Sequence, residues 1–417
     1  MECSMKHNSL LRYLCAAVLA AALFSAACRP ATARAGAAIT PQNGQSPALF
    51  LPVVSNSNNY ADKYLGLYIK LTDVDTWNSE VDQFVSMTGA THAVLLISSG
   101  YDCRDTPVRT VAELRPRLDY IHAHGATPLI AWMPSNCGNG GFGNVNTLGL
   151  PDVLSGAWDA YMTQWATDIA ALGYPVFVRW GHEMNIPSYS WAGQHAFGSN
   201  GRTDADKVTE PCGLTGCYGD PNQYDGPERY IAAYRRVHDL VASIAPNIKW
   251  VWNPNGRNWP LASVAPWNDY SNYYPGDAYV DWVGVDAYNW GQLSGNGYSW
   301  TWATFDYMFR DVLADLAARY PTKPQMIPEM SCVEDAGDPN RKAQWIRDAY
   351  QSAYFNYPLL KVVAWESEVV WDGAWSPDGT PQHVTGNWAD FRVNTSPQAL
   401  QAYREAIRLW SSKAPLP

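Results

Sequence analysis

Eight short apolar runs, separated by amphipathic stretches, constrain this chain more than any other feature of its sequence. They are YLGLYIK (64–70), HAVLLIS (92–98), TPLIAWM (127–133), PVFVRWGHEM (175–184), NIKWVWNPN (247–255), VDWVGVDAY (280–288), KPQMIPEM (323–330) and KVVAWESE (361–368). A strand with one wet face alternates apolar and polar residues, whereas a strand buried on both faces is continuously apolar. The intervening segments have another period. In TVAELRPRLDYIHAH (110–124), apolar residues recur at Val111, Leu114, Leu118 and Ile121, the three-to-four spacing of a one-sided helix. Segments 158–172, 227–244, 305–320, 341–354 and 397–410 repeat the theme. Buried strands alternating with amphipathic helices indicate a parallel sheet covered on both faces. Eight such units predict an α/β fold, a closed (β/α)8 TIM barrel forming a single domain over 64–417. An open doubly wound sheet would carry a glycine-rich phosphate turn after its first strand, and LTDVDTWNSE stands there instead.

The residues before the barrel read differently. Lys6 and Arg12 precede the apolar run LCAAVLAAALFSAA, followed by the small-residue sites ATA and AGA. That is the layout of a secretory signal, here 1–37 with cleavage near 33–37, and the run is short for a membrane span. Cys28 after Ser-Ala-Ala is the alternative, a lipidation site that would tether the protein to a membrane; Ser25 stands where a lipoprotein signal normally has Leu. Residues 38–63, rich in Pro, Ser, Asn and Gln, read as a linker or extended arm. The expected location is secreted, outside the cell. Cysteine usage fits export. Cys212 and Cys217 bracket GLTG, Cys103 and Cys137 follow strand ends, and either pair could be bridged, while Cys332 is left over and expected to be buried. No Cys/His spacing suggests zinc.

Composition narrows the partner. The net charge of −10 argues against nucleic acid. Aromatic residues make up 13% of the chain, with 20 Trp and 25 Tyr, and flat rings with a polar handle suit either a large core or stacking on sugars.

In a (β/α)8 barrel the chemistry sits at the C-terminal ends of the strands. Strand four ends in Arg179, His182, Glu183 and Asn185; strand six in Asp286, Tyr288 and Asn289; strand seven in Glu329; strand eight carries Trp365, Glu366 and Glu368; strand three carries Trp132. Glu183 and Glu329 face each other across the barrel mouth. Two carboxyls roughly 5–5.5 Å apart, one attacking and one protonating, are what retaining glycoside hydrolysis requires. Their pKa values must be pushed apart, and Arg179 is placed to keep one of them ionised. The competing reading is that each Glu caps a helix or makes a salt bridge.

These residues carry a resemblance. VFVRWGHEMNIPSYSWAG resembles the acid/base segment of glycoside hydrolase family 26, VDWVGVDAYNWG its sixth strand, PQMIPEMSC its nucleophile strand and KVVAWESE its eighth strand. The four motifs occur in order across about 64–410. The resemblance implies Glu183 as acid/base and Glu329 as nucleophile. It implies His182 beside the acid/base, Tyr288 hydrogen-bonded to the nucleophile, and Arg179 supporting the pair. It further implies Trp365 as the floor of the subsite where the bond breaks and Trp191 lining the cleft. Departures occur as well. Ile186 replaces the Gly expected after HEMN, the first Trp of the aromatic segment is missing, Ala287 stands where Gly is common, and WESE adds two carboxylates. These leave the polysaccharide open.

Other candidates are weighed beside these. Glu366 and Glu368 are rival nucleophiles or, on the plainer reading, an exposed rim or an ion pair. Asp286 is either a site residue or a structural one. His122 and His124 look like a metal pair but do not share a helix face, so they read as surface residues. Trp250, Trp252, Trp282 and Trp345 read as packing, whereas Trp290, Trp300 and Trp302 follow strand six, where stacking on substrate is plausible. The expectation is a monomer: a retaining endo-β-glycanase acting on β-mannan or mixed-linkage β-glucan without metal or organic cofactor. Alternatives are xylanase activity in the same family, a non-catalytic carbohydrate-binding barrel, and a metal-dependent barrel hydrolase.

Overall fold

The computed structural model describes residues 63–69, 76–100, 110–134, 150–187, 189–193, 218–220, 224–291, 294–295, 298–299, 301–335, 337–371 and 388–410. The secretory signal, Cys28, nearly all of the linker, Cys103, Cys137, Cys212, Cys217 and Trp300 lie outside these residues.

The eight apolar runs become the staves of one closed parallel barrel. They are Tyr64–Tyr68, Val94–Gly100, Thr127–Met133, Val176–Trp180, Ile248–Trp252, Trp282–Gly284 continued by Ala287–Asn289, Gln325–Cys332 and Leu360–Glu366. Each pairs with the next, and strand one closes on strand eight from Tyr64↔Val362 to Tyr68↔Glu366. The chain therefore has the (β/α)8 TIM-barrel fold. Strand seven shifts register against strand eight between Ile327 and Met330. The extra residue there turns Glu329 to the barrel interior after Met326, three positions earlier, has also faced it.

Side-chain alternation separates two cores. Tyr68, Val94, Leu96, Leu129, Ala131, Phe177, Val251, Met326 and Val362 fill the barrel. Leu65, Leu67, Ile97, Ile130, Trp132, Val178, Trp180, Trp250, Trp252 and Trp365 point outward and pack under the helices. This second layer absorbs much of the tryptophan. Packing was the expected role of Trp250, Trp252, Trp282 and Trp345; three are buried in that layer, and the half-buried Trp282 packs edge-on to Phe177 against the barrel interior.

The helices fall where the three-to-four spacing placed them, at Val111–Ala123, Asp159–Ala170, Asp225–Ala242, Phe305–Arg319, Arg341–Phe355 and Pro397–Ala406. Thr110 and Glu113 form a capping box at the start of the first of these. Two helices were not anticipated, Trp77–Thr88 and Leu150–Ser155. The first buries Trp77, Val81, Phe84 and Thr88, a helical spacing that its polar neighbours obscure. After strand five there is no α-helix. Three 3₁₀ turns, Pro266–Asn268, Tyr270–Tyr273 and Asp277–Tyr279, cover the barrel instead. Pro254, Pro260, Pro266 and Pro275 explain this, since each removes a backbone donor a helix would need.

Candidate active site

Strand four delivers Arg179 into the barrel and then turns sharply. Gly181 and Glu183 both have left-handed backbone, with φ of 55° and 53°. A left-handed glutamate is strained and persists only where its surroundings fix it. Here the Glu183 N–H donates to the Asn253 carbonyl at 2.7 Å, and Trp191 Nε1 donates to the His182 carbonyl at 2.7 Å. Asn185, fully buried, completes the clamp. Its Nδ2 donates to the Asn255 carbonyl and to Asn258 Oδ1, and its Oδ1 accepts from the Asn255 N–H.

The Glu183 carboxyl is 4% exposed. Its Oε1 accepts from Asn255 Nδ2 at 2.7 Å, and the Tyr189 side chain is a further hydrogen-bond partner. Burial, and then the charge of Glu329, push its pKa up to about 7, while Asn255, Arg179 and Tyr189 act against them. Near neutrality this carboxyl holds a proton about half the time.

Glu329 has other partners. Arg179 donates to its Oε1 and Tyr288 to its Oε2. Both are donors, so each Glu329 oxygen has a hydrogen presented to it. Arg179 also donates to Asp286 Oδ2 at 2.8 Å. Asp286 has no exposed surface, and its Oδ1 accepts from the Glu329 backbone N–H at 2.9 Å. Asn253 Nδ2 donates to Asp286 Oδ2 at 2.8 Å. Asp286 is thus the hub that orients both Arg179 and the backbone under Glu329. Burial opposes the Arg179 charge, but Glu329 and Asp286 outweigh it and raise its pKa. Gly284 makes room for the hub, since a Cβ there would lie 2.4 Å from Asn253 Oδ1.

His182 is buried beside Glu183, where burial and then the Arg179 charge hold its pKa well below the usual value, so its imidazole is neutral. Tyr288 stacks on Phe391 at 5.4 Å between ring centroids, and Trp290 packs against both, partly exposed. Glu183, Glu329, Arg179, His182, Asp286, Tyr288 and Trp290 are therefore brought together at one end of the barrel.

Three expected aromatics are not placed in the cleft. Trp365 has no exposed surface and lies edge-on to Trp345 and Tyr403 under the helices. It cannot floor a sugar subsite, because Glu366, its neighbour on the strand, takes the inward face. Trp132 stacks on Trp165 of the helix Asp159–Ala170 at 4.0 Å, again outside the barrel. Trp191 is 2% exposed and stacks beneath Tyr189 at 4.4 Å, so the partly exposed Tyr189 stands where Trp191 was expected to line the cleft. Replacing Trp365 with phenylalanine should lower the melting temperature while leaving KM unchanged; a raised KM with an unchanged melting curve would restore it to the cleft. Glu366 is not on an exposed rim but is buried at 4% exposure.

Sequence reasoning missed Asn253, Asn255 and Tyr189. The NPN at the end of strand five was the available signal, since strand-end polar residues were the criterion used elsewhere. Removing the Asn255 amide should raise the Glu183 pKa, so Asn255→Ala should move the alkaline limb of the pH–rate profile upward. A limb that moves down or stays fixed would count against this contact.

His122 and His124 are exposed; His122 stacks on Tyr174, and His124 lies tilted against Tyr120. Among the described residues no group of His, Cys, Asp and Glu is arranged to hold a metal ion. Cys332 is buried and free, accepting from Asn289 Nδ2.

No family model matches the chain. Endoglucanase H of Acetivibrio thermocellus is 32% identical over 300 residues, which span 72% of this chain and 26% of that protein. Beta-1,3-xylanase of Alcaligenes sp. is 20% identical over 273 residues, 62% of this chain and 48% of that protein. The chain thus spans about a quarter and about half of the lengths of these two relatives. The solved structure of Bacillus subtilis mannanase man26 aligns at a TM-score of 0.50 with 16% identity, over 84% of this chain and 86% of that one, a likeness of fold.

Proposed function

We infer that the chain belongs to glycoside hydrolase family 26, and from that premise we propose that it is a retaining endo-β-glycanase. The barrel, the four motifs in their order and the relative at 32% identity support the membership. One observation carries the activity: two carboxyls share a buried cleft but have opposite partners. Glu329 receives hydrogen bonds from Arg179 and Tyr288, while burial keeps a proton on Glu183 up to about pH 7. This is the pair of unequal acids that retaining hydrolysis needs.

In the first step Glu329 attacks the anomeric carbon as Glu183 gives its proton to the departing glycosidic oxygen. A covalent glycosyl ester on Glu329 forms and the leaving chain departs as an alcohol. In the second step the ionised Glu183 takes a proton from water, whose oxygen attacks the anomeric carbon and expels Glu329. Two displacements retain the anomeric configuration. Arg179 and Tyr288 stabilise the carboxylate before attack and again as it leaves, and neutral His182 beside Glu183 adds no charge to the acid's surroundings.

The substrate proposed first is a mixed-linkage β-glucan, with β-mannan second; the name of the endoglucanase relative supports this order. Barley β-glucan, lichenan, glucomannan, mannan and xylan, with chromatography of the products, test it. Hydrolysis of xylan alone would overturn the substrate, and hydrolysis of none would overturn the activity. A polymeric substrate also fits the proposed export, which amino-terminal sequencing of the mature protein would check.

A further inference from the structure

The loop after strand five exposes apolar surface beside the proposed acid. Trp259 is 42% exposed, and Leu261 at 38% and Val264 at 76% lie close to it in sequence. Large apolar side chains left out of the core together mark a surface that meets a partner. Looseness does not explain them, because the backbone around Trp259 is tied down. The Trp259 N–H donates to the Asn185 carbonyl at 2.9 Å. Asn185 Nδ2 donates to Asn258 Oδ1 at 2.8 Å, and Asn268 Nδ2 donates to the carbonyls of Asn185 and Pro260 at 2.8 and 3.0 Å. The Arg257 guanidinium lies 5.9 Å from the Trp259 ring centroid, within reach of a cation–π contact that steadies the ring.

The same bonds fix where Trp259 stands relative to the chemistry. Asn185 follows Glu183 by two residues, at most about 7 Å of chain. Asn255, at the start of the loop, donates to Glu183 Oε1 at 2.7 Å. In the proposed reaction Glu183 protonates the glycosidic oxygen, so it stands where the attacked sugar meets the departing chain. Glu329 lies under the attacked sugar, on the side where Tyr288, Phe391 and Trp290 gather. The loop on the Glu183 side therefore borders the departing chain, and it carries Trp259 as an exposed ring.

We propose that Trp259 is the platform of a leaving-group subsite, where its ring stacks on a sugar of the departing β-glycan chain. The inference rests on the reading of Glu183 as the acid. A pyranose presents C–H groups on its faces and hydroxyls around its rim, which matches a flat apolar ring. The occupant is continuous with the sugar being cleaved, so the exposed ledge needs no second partner. Because the loop is tied down before substrate arrives, binding does not have to order it.

The test compares Trp259→Ala with wild type on barley β-glucan and on β-cellotriosyl fluoride (mannan and β-mannotriosyl fluoride if the polysaccharide panel selects mannan). The fluoride has the attacked sugars but no departing chain. On the polymer, KM should rise on the order of tenfold with kcat little changed, the loss of one stacked ring. On the fluoride, kcat/KM should stay within about twofold of wild type. The free trisaccharide, added as acceptor, reaches the glycosyl enzyme from the departing-chain side, so the share of transfer product should fall in the variant. A merely structural role would lower the melting temperature and impair both substrates alike. If the alanine variant does not fold, Trp259→Phe decides: its smaller ring should raise KM for the polymer about threefold and spare the fluoride. Equal loss on both substrates, or an unchanged KM for the polymer, would overturn the proposal. If wild type cleaves neither substrate, the catalytic reading fails first; if it cleaves both and the variants match it, this inference alone fails.

Discussion

Glu329→Ala should abolish hydrolysis of the polysaccharide, with kcat reduced on the order of 10⁴- to 10⁶-fold, the range seen when a nucleophile is removed. Among the described residues no neighbour is placed to substitute. Asp286 is turned beneath the Glu329 backbone and is engaged by Arg179 and Asn253, and Glu366 is buried at the end of strand eight. The variant should keep the fold, because the orienting hydrogen bond to strand seven comes from the Glu329 backbone N–H and survives truncation. It does leave Arg179 with one carboxylate instead of two. The check pairs kcat with circular dichroism. Added azide should restore turnover of an activated aryl glycoside and give the glycosyl azide of inverted configuration, because the small anion attacks where Glu329 is missing. Wild-type-like activity in the folded variant would sink the assignment.

Glu183 is expected to fail differently. Glu183→Ala should lower turnover of β-glucan about 10²- to 10⁴-fold, the usual contribution of a general acid. On an aryl glycoside with a good leaving group the first step should be largely spared, since that group departs without a proton. The wild-type alkaline limb near pH 7 should be absent from the first step of the variant, because that limb is the loss of the Glu183 proton. The same group makes a prediction about stability. Its pKa is raised from 4.5 to about 7 in the folded state. A carboxyl raised on folding contributes stability that is fully present below the unfolded pKa and lost as pH rises through the folded one. Glu183→Gln should therefore melt like wild type at pH 4 but be more stable at pH 8, by up to about 3 kcal/mol. Equal melting at both pH values would show that Glu183 is not buried as described.

Local pattern carried the barrel. Eight apolar runs and six helical spacings were legible because burial on both faces removes alternation from a strand, and one wet face imposes a helical period. The helix Trp77–Thr88 was missed because polar residues break up its apolar stripe. The segment after strand five carries no helical spacing, and its prolines forbid a helix. The two glutamates proposed as the catalytic pair were legible too, because a barrel puts its strand ends at one mouth.

Which face a residue takes was not legible where strands bulge or turn. Trp365, Trp132 and Trp191 look like sugar platforms by residue type and position, yet alternation and helix packing turn them into the outer core or beneath Tyr189. Asn253, Asn255 and Asp286 gain their roles only when strands four, five, six and seven meet. By itself the sequence determined the barrel, its strand ends and the placing of Glu183 and Glu329 at them, because burial period and strand order are local and additive. Only the tertiary structure decided the surroundings of each carboxyl, and with them the raised pKa of Glu183. That depends on desolvation and on donors from distant strands, Asn255 on one carboxyl, Arg179 and Tyr288 on the other.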